Sequence, residues 1–364
     1  MTPRADPTEK YAGDVPGLSV IVPVKDRVTE LRRLLESIRR TAADHPFPIE
    51  VIVVDDSAPD AARQHAMNCD RLGARYLRGP RHVGAKRNVG ARHADHGMLL
   101  FVDSDCQVTD GLFNHHYKTL RSAPDQVVAV AGPTRLIAGA GRMFEVARRS
   151  RRLNNAFDMP LEFESVGWAT TSNLAVRKEA WNAVGGFPED GLTVVAGEDV
   201  DFCLRLVRAG YRIVCDPEAV VLHDAGNSSS FSPVLRRLYT YGRSGSWLGA
   251  RYPELRRWKV NPIVAVAATY ALAKTLPTTR RRGGLLAAGV AAGILAIQSV
   301  DRRRGPTREE TGYAVLAALL DWSADWGEAV AAVQLRRPGL LLTGFGWRDD
   351  PAFVPRAAVR PDDA

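Results

Sequence analysis

Cysteine is scarce in this 364-residue chain: Cys69, Cys106, Cys203 and Cys215 stand far apart, with no CxxC pair. Neither a disulfide framework nor a cysteine zinc site is indicated, and a reducing compartment fits best. Met1 to Gly17 contain no apolar run of the kind a secretory leader needs, so the cytoplasm is the expected location. The turn after the first apolar run, Pro23-Val24-Lys25-Asp26-Arg27, holds no glycine, which argues against a Gly-rich phosphate loop there. Acids are nearly missing from Phe231 to Gly305, where 14 Lys and Arg meet only Glu254 and Asp301, so this segment alone is more positive than the chain's net charge of +8. Apolar stretches lie between those cations, which favours a membrane surface as partner over nucleic acid.

With 45% apolar residues the chain can bury a full core. The most informative stretch is Met98-Leu-Leu-Phe-Val-Asp-Ser-Asp105, five apolar residues running into two carboxylates one residue apart. A short, wholly apolar run reads as a strand buried on both faces of a parallel sheet. Carboxylates at its end lie where open α/β sheets place ligands, and so close together they repel unless a cation joins them. Asp-x-Asp also occurs in solvated turns, so its surroundings decide.

Leu18 to Val24 reads as a first strand and Thr29 to Arg40 as a helix, with Leu31, Leu34, Leu35 and Ile38 at helical spacing. Ile49 to Val54 is a second strand, ending in Asp55-Asp56. A helix over 60–72, a strand at 75–77 and a helix over 83–92 lead to the strand ending at Asp103 and Asp105. This alternation predicts an α/β fold with right-handed crossovers, so both acidic pairs meet at one sheet edge. Helix capping is the plainer reading of Asp55-Asp56. Further on, Glu198, Asp199 and Asp201 open a helix with apolar positions Val200, Cys203, Leu204, Leu206 and Val207. Acids suit a helix N-terminus, but three in four residues exceed what capping needs.

Val54-Asp-Asp-Ser57, Gly84-Ala-Lys-Arg-Asn88, Phe101-Val-Asp-Ser-Asp105, Asn173-Leu-Ala-Val-Arg177, Gly185-Gly-Phe187, Gly197-Glu-Asp-Val-Asp201 and Val221-Leu-His223 together resemble the ordered signature of family 2 glycosyltransferases. The resemblance covers Leu18 to Asp224. It implies a GT-A, Rossmann-like, mostly parallel sheet flanked by helices. It also implies inverting transfer of a sugar from a nucleoside diphosphate sugar to an acceptor hydroxyl, with Mn²⁺ or Mg²⁺ as cofactor. Donor-nucleotide binding falls on Pro23, Val24, Asp26, Asp55, Asp56, Lys86, Arg87, Asp103 and Ser104. Asp105, Asp103 and His223 become metal ligands, Asp199 with Glu198 the catalytic pair, and Asp199 the base. Oxygen ligands beside a diphosphate suit either cation on physical grounds too. Trp168 reads as either acceptor wall or core, and Arg243 as a residue reaching the diphosphate from a loop.

The expected organisation is a flexible N-terminus (1–17), a catalytic domain (18–230), a basic, Ala-rich helical appendage (231–346) and a flexible tail (347–364). Val260–Leu276 and Gly284–Val300 are apolar stretches a little short of a bilayer span, flanked by Arg280-Arg-Arg282 and Arg302-Arg-Arg304. They suit either membrane association or packing on the catalytic domain. Glu254-Leu-Arg-Arg-Trp258 resembles the QxxRW element of processive synthases, but Glu replaces Gln and Asp199 lies far away, which argues against processivity. Two other classes compete: a sugar nucleotidyltransferase, which the missing glycines disfavour, and a nucleotide-binding or membrane scaffold without turnover, which intact acidic motifs disfavour. The sugar, the nucleotide base, the acceptor and the oligomeric state are not encoded in these spacings.

Overall fold

The computed structural model describes residues 17–43, 45–137, 141–153, 156–189, 196–224, 230–303, 307–347 and 350–356. The expected flexible N-terminus lies outside them apart from Gly17. The first half of the chain alternates as the apolar pattern predicts: β1 (Leu18–Val24), α1 (Val28–Ala42), β2 (Ile49–Asp55), α2 (Pro59–Leu72), β3 (Arg75–Arg78), α3 (Val83–His93) and β4 (Met98–Phe101). Next come β5 (Cys106–Val108), α4 (Leu112–Ser122), β6 (Val127–Ala131), β7 (Thr134–Leu136), α5 (Arg142–Arg148) and α6 (Met159–Glu162). β8 (Phe163–Val166), β9 (Leu174–Arg177), α7 (Lys178–Ala183), α8 (Glu198–Arg208), β10 (Arg212–Cys215) and β11 (Val221–His223) complete this part. The rest comprises α9 (Phe231–Arg251), β12 (Arg256–Trp258), α10 (Pro262–Thr275), α11 (Gly283–Val300), α12 (Arg308–Gln334), β13 (Thr343–Phe345) and β14 (Val354–Pro355).

Nine strands form the central sheet in the order β14-β8-β10-β6-β9-β4-β1-β2-β3. The pairs β1–β2, β1–β4, β2–β3 and β6–β10 are parallel, whereas β9 runs antiparallel between β4 and β6, and β8 between β10 and β14. Only β8 and β9 therefore oppose the common direction, and the α/β sheet expected from the sequence is present. All seven residues of β1 are buried. Period-2 alternation sends Leu18, Val20 and Val22 to the layer beneath α1, and Ile21 to the layer containing Phe101, Phe187 and Phe202. Both faces of the sheet are thus covered, which is why these strands read as continuous apolar runs.

The helical part over 231–346 packs on the catalytic part, since Leu248, Tyr252 and Leu255 belong to the main core alongside Leu206 and Phe202. The tail expected to be flexible is packed where it is described: Trp347 and Phe353 are buried in that core, and Val354 and Pro355 pair with β8. Burying two large aromatics is worth about 1.5–3 kcal/mol each, enough to hold a short Pro- and Asp-rich segment in place. Residues 357–364 lie outside the described residues.

Helix α12 is joined to the N-terminal part by charge. Asp321 takes hydrogen bonds from the Arg151 backbone N–H at 3.1 Å and from Arg302 at 2.6 Å. Asp325 meets Arg152 at 3.0 Å and Lys259 at 2.6 Å, while Glu328 meets Arg152 at 3.1 Å. Buried carboxylates on a helix are tolerated only with such partners.

Candidate active site

The parallel register sets Val24 of β1 level with Asp55 of β2, and Ile21 level with Phe101 of β4. The acidic ends of β2 and β4 thereby meet at one edge of the sheet, flanking the turn after β1.

Asp55 is fully buried and serves the scaffold. Its Oδ1 accepts the Ser57 backbone N–H at 2.7 Å and the Ser57 hydroxyl, and its Oδ2 accepts from Tyr76 at 2.7 Å and Arg78 at 3.0 Å. Burial pushes this carboxyl up, but hydrogen bonds from Ser57, Tyr76 and His65 outweigh it and hold the group below its ordinary value. Ser57 in turn accepts the Asp26 backbone N–H at 2.6 Å. That bond fixes a turn in which two non-glycine residues are left-handed, Asp26 at φ 57° and Arg27 at φ 61°. Such backbone persists only when its surroundings over-determine it. The result is that the Arg27 guanidinium lies 2.5 Å from the Asp105 carboxylate. Arg27 did not emerge from the sequence, and its position depends on this unusual turn.

Several expected donor contacts are likewise inward-facing. Pro23 and Val24 are buried at the end of β1, and the Val24 carbonyl accepts the Lys86 ammonium at 2.8 Å. Lys86 also pairs with Asp56, and burial pulls its pKa down against the pull of Asp56. Ser104 is buried between the two aspartates, whereas Asp26 and Lys25 are exposed. Trp168 is buried in the main core, where its ring and that of Trp347 meet at near right angles with centroids 5.5 Å apart, in keeping with the core alternative of its two readings.

The centre of the site is Arg87. One guanidinium nitrogen donates to Glu198 at 2.8 Å and another to Asp103 at 2.9 Å, with the Phe187 ring centroid 5.7 Å away. A single buried cation on α3 thus ties the acidic motif after β4 to the start of α8. The three acids of α8 divide their work. Glu198 is paired with Arg87. Asp201 is buried and accepts from Arg205 at 2.8 Å, Arg251 at 2.6 Å and Tyr252 at 2.6 Å, which pins the end of α9 to α8. Asp199 makes no ion pair among the described residues; its Oδ1 accepts the Val200 backbone N–H at 2.8 Å, and its carboxyl is pushed up to about 7 by burial, then by Glu198, against the lowering pulls of Arg87 and that hydrogen bond. A carboxyl so placed can exchange a proton near neutral pH.

Helix α9 supplies a wall that sequence reading missed. Gly197 (φ +86°) precedes α8, and a Cβ there would stand 2.1 Å from Ser244 and 3.4 Å from Leu248. One helical face of α9, carrying Arg237, Tyr241, Ser244 and Leu248, therefore turns to the acids. Tyr241 is 38% exposed; its hydroxyl is pushed up by desolvation on the side facing the site and by the charges of Asp199, Asp103 and Glu198, while Arg237 pulls it down. The other face meets α12, where a Cβ on Gly242 would stand 1.8 Å from the Ala324 carbonyl oxygen. Arg243 belongs to that second face and donates to Gln334 at 3.2 Å. It sits mid-helix rather than on a loop, so its expected reach to a diphosphate is not supported.

On the far side of the Asp-Ser-Asp turn, His223 Nε2 lies 3.5 Å from Asp105, and its Nδ1 lies 2.9 Å from the Asp224 carbonyl oxygen. Ligand atoms of Asp105, Cys106 and His223 all fall within 4.8 Å of one another. Burial pushes the Cys106 thiol well up, which disfavours a thiolate ligand. The Asp105 carboxyl is also raised by burial, against lowering pulls from His223 and Arg27, so it favours added positive charge. The Asp105 carboxylate fits Mn²⁺ or Mg²⁺ at this point, and the His223 imidazole, a ligand of transition ions, fits Mn²⁺ better than Mg²⁺. Asp103, one residue away, is directed to Arg87 instead.

Comparison with known proteins bears on this acidic edge. Residues 19–184 match the family described as glycosyl transferase family 2. That segment, a little under half of the chain, is similar to family 2 glycosyltransferases. The chain is 29% identical over 253 residues to the pre-mycofactocin glycosyltransferase of Mycobacterium tuberculosis, covering 68% of this chain and 50% of that protein. It therefore spans about half the length of that relative. It is also 31% identical over 125 residues to the N-acetylglucosaminyl-diphospho-decaprenol L-rhamnosyltransferase of the same organism, covering 32% of this chain and 39% of that one. Among solved structures, a mannosyltransferase from Pyrobaculum calidifontis, in complex with GDP-Man and Mn²⁺, shares 18% identity at a TM-score of 0.48 over 84% of this chain and 87% of that one.

Proposed function

We propose that this glycosyltransferase domain moves a sugar from a nucleoside diphosphate sugar to an acceptor hydroxyl with inversion, and that Asp199 is its base. The observation that supports this best is the Arg87 bridge, which holds Asp103 and Glu198 on one guanidinium and so sets Asp199 beside the acidic edge of the sheet. Asp199 takes the proton from the acceptor hydroxyl as that oxygen attacks the anomeric carbon. The bond from that carbon to the diphosphate oxygen breaks, and its electron pair leaves with the diphosphate. Attack opposite the leaving group inverts the anomeric centre. Asp105 and His223 would hold a divalent cation, which when bound supplies charge to the departing diphosphate. Arg87 pairs with Glu198 and also lowers the Asp199 carboxyl, so it partly offsets the raising effect of Glu198 on the base. Tyr241 and Arg237 line the acceptor side.

Asp55, Ser57, Lys86 and Asp56 act by positioning: they build the turn that carries Asp26 and Arg27 to the donor. The four unpaired cysteines suit a reducing cytoplasm, where the acceptor is offered at the inner face of a membrane. The test is to incubate the protein and Asp199→Asn with UDP-, GDP- and dTDP-sugars, Mn²⁺ and candidate acceptors, and to follow release of nucleoside diphosphate. Wild type releases it with one donor class, and the variant loses at least about 100-fold in rate. A variant that kept full activity would remove Asp199 from the chemistry.

A further inference from the structure

Helices α10 and α11 form a hairpin whose outer surface has the wrong chemistry for water. Residues 262–300 contain Lys274, Arg280, Arg281 and Arg282 but no acid. The three arginines form an exposed turn between the helices. Along α11, Leu285 (75% exposed), Ile297 (70%) and Val300 (67%) face outward, and Leu272 of α10 is 64% exposed. Between Arg282 and Asp301 the helix has no charged residue on any side. A helix that is apolar all round belongs in a core or in lipid, and α11 is not in a core.

The hairpin is rooted firmly at its open end. Asn261 caps α10 through the Ile263 and Val264 backbone N–H groups and donates to the Asp325 carbonyl at 2.8 Å. Arg302, just after α11, pairs with Asp321. Both roots therefore end on α12, whose neighbour α9 lines the candidate site.

We infer that this hairpin docks in the interface of an anionic lipid bilayer, lying along it within one leaflet. Among the described residues, Arg280–Val300 is the one helical stretch long and apolar enough to cross a membrane by length and composition. Its partner leg falls short: the 14 residues of α10 rise about 21 Å, against a hydrocarbon thickness of about 30 Å. Crossing would also carry three arginines through the hydrocarbon, which is costly. Lying flat removes both problems. The apolar outer face enters the acyl boundary, and Arg280–Arg282 at one end and exposed Arg303 at the other rest at phosphate level.

The test is flotation of the full chain with phosphatidylcholine vesicles and with vesicles containing about one third phosphatidylglycerol. The protein should float with the anionic vesicles and at least about tenfold less with the neutral ones. Leu285→Glu with Ile297→Glu should abolish flotation, and replacing Arg280, Arg281 and Arg282 by Ala should reduce it at least about tenfold. Thermal stabilisation by nucleotide and Mn²⁺, measured on the same variants, should match wild type. Its absence in all proteins would count against the transferase reading and leave the docking result standing. With Arg281→Cys on sealed vesicles, an impermeant maleimide should label the tip from outside. Three results overturn the proposal: no flotation with either vesicle, a tip protected from the reagent, or a lipid-free dimer that Leu285→Glu with Ile297→Glu converts to monomer.

Discussion

Replacing Asp199 with Asn removes a carboxyl that the folded chain holds at a pKa of about 7, against an ordinary value of 3.8. Between about pH 4 and pH 7 the native state keeps this proton while the unfolded chain has lost it. Native protein then binds more protons than unfolded protein, so stability falls as pH rises through that window. Above about pH 7 both states have lost the proton and the penalty is constant. At 1.36 kcal/mol per pH unit the full penalty approaches about 4 kcal/mol, and partial access of water to Asp199 brings the expectation to about 2–4 kcal/mol. Asn has no such charge. In urea unfolding with EDTA present, Asp199→Asn should therefore match wild type near pH 4 and exceed it by about 2–4 kcal/mol at pH 8. Transfer by wild type should rise with pH through about 7, as the base becomes available. Parallel stability curves for the two proteins from pH 4 to pH 8 would refute the claim that burial and Glu198 destabilise this charge.

Other positions carry sharp expectations. Arg87→Met leaves Glu198 and Asp103 without their shared cation and should cost about 3–5 kcal/mol in denaturant unfolding at pH 7; a loss under about 1 kcal/mol would show that the bridge is not needed. Arg27→Ala frees Asp105 from its 2.5 Å partner and should tighten Mn²⁺ binding about fivefold, read by electron paramagnetic resonance of free Mn²⁺; unchanged or weaker binding would contradict the assignment of Asp105. Gly242→Ala places a Cβ 1.8 Å from the Ala324 carbonyl oxygen and should destabilise by about 1–3 kcal/mol or more, separating α9 from α12; thermal unfolding checks it, and an unchanged melting temperature would mean that the helices do not pack as closely as described.

What could be read from the sequence depended on how local its cause was. The run from Met98 to Phe101 and the helix carrying Leu31, Leu34, Leu35 and Ile38 announce themselves through burial pattern alone. The acids after β2 and β4 converge because parallel strands share an edge, a consequence of topology that alternation already implies. Arg27 stayed hidden because two left-handed non-glycine residues have no sequence signature. They depend on a bond to Ser57, thirty-one positions from Asp26. Tyr241 and Arg237 were missed because their meaning comes from which face of α9 meets Gly197, a contact across more than forty residues. Trp168 was ambiguous until Trp347 was seen to meet it in the core, and the tail that carries Trp347 read as loose because proline and aspartate outweighed two aromatics. Asp55 is a different case: the family resemblance marks it for the donor nucleotide, and the fold adds that its two oxygens accept from Ser57, Tyr76 and Arg78, contacts across up to 23 positions that the spacing did not reveal.

The most direct test of the account is thermal unfolding with UDP, GDP, dTDP, CDP and ADP, each with and without Mn²⁺, on wild type and on Asp105→Ala. A nucleotide at about 100 times its dissociation constant adds about 2.7 kcal/mol, which for a chain of this size raises the melting temperature by about 3 °C. One nucleotide acting only with Mn²⁺, and losing its effect in Asp105→Ala, is the result predicted for a donor site at the acidic edge of the sheet. Stabilisation by none of them, or stabilisation that survives in Asp105→Ala, would contradict it.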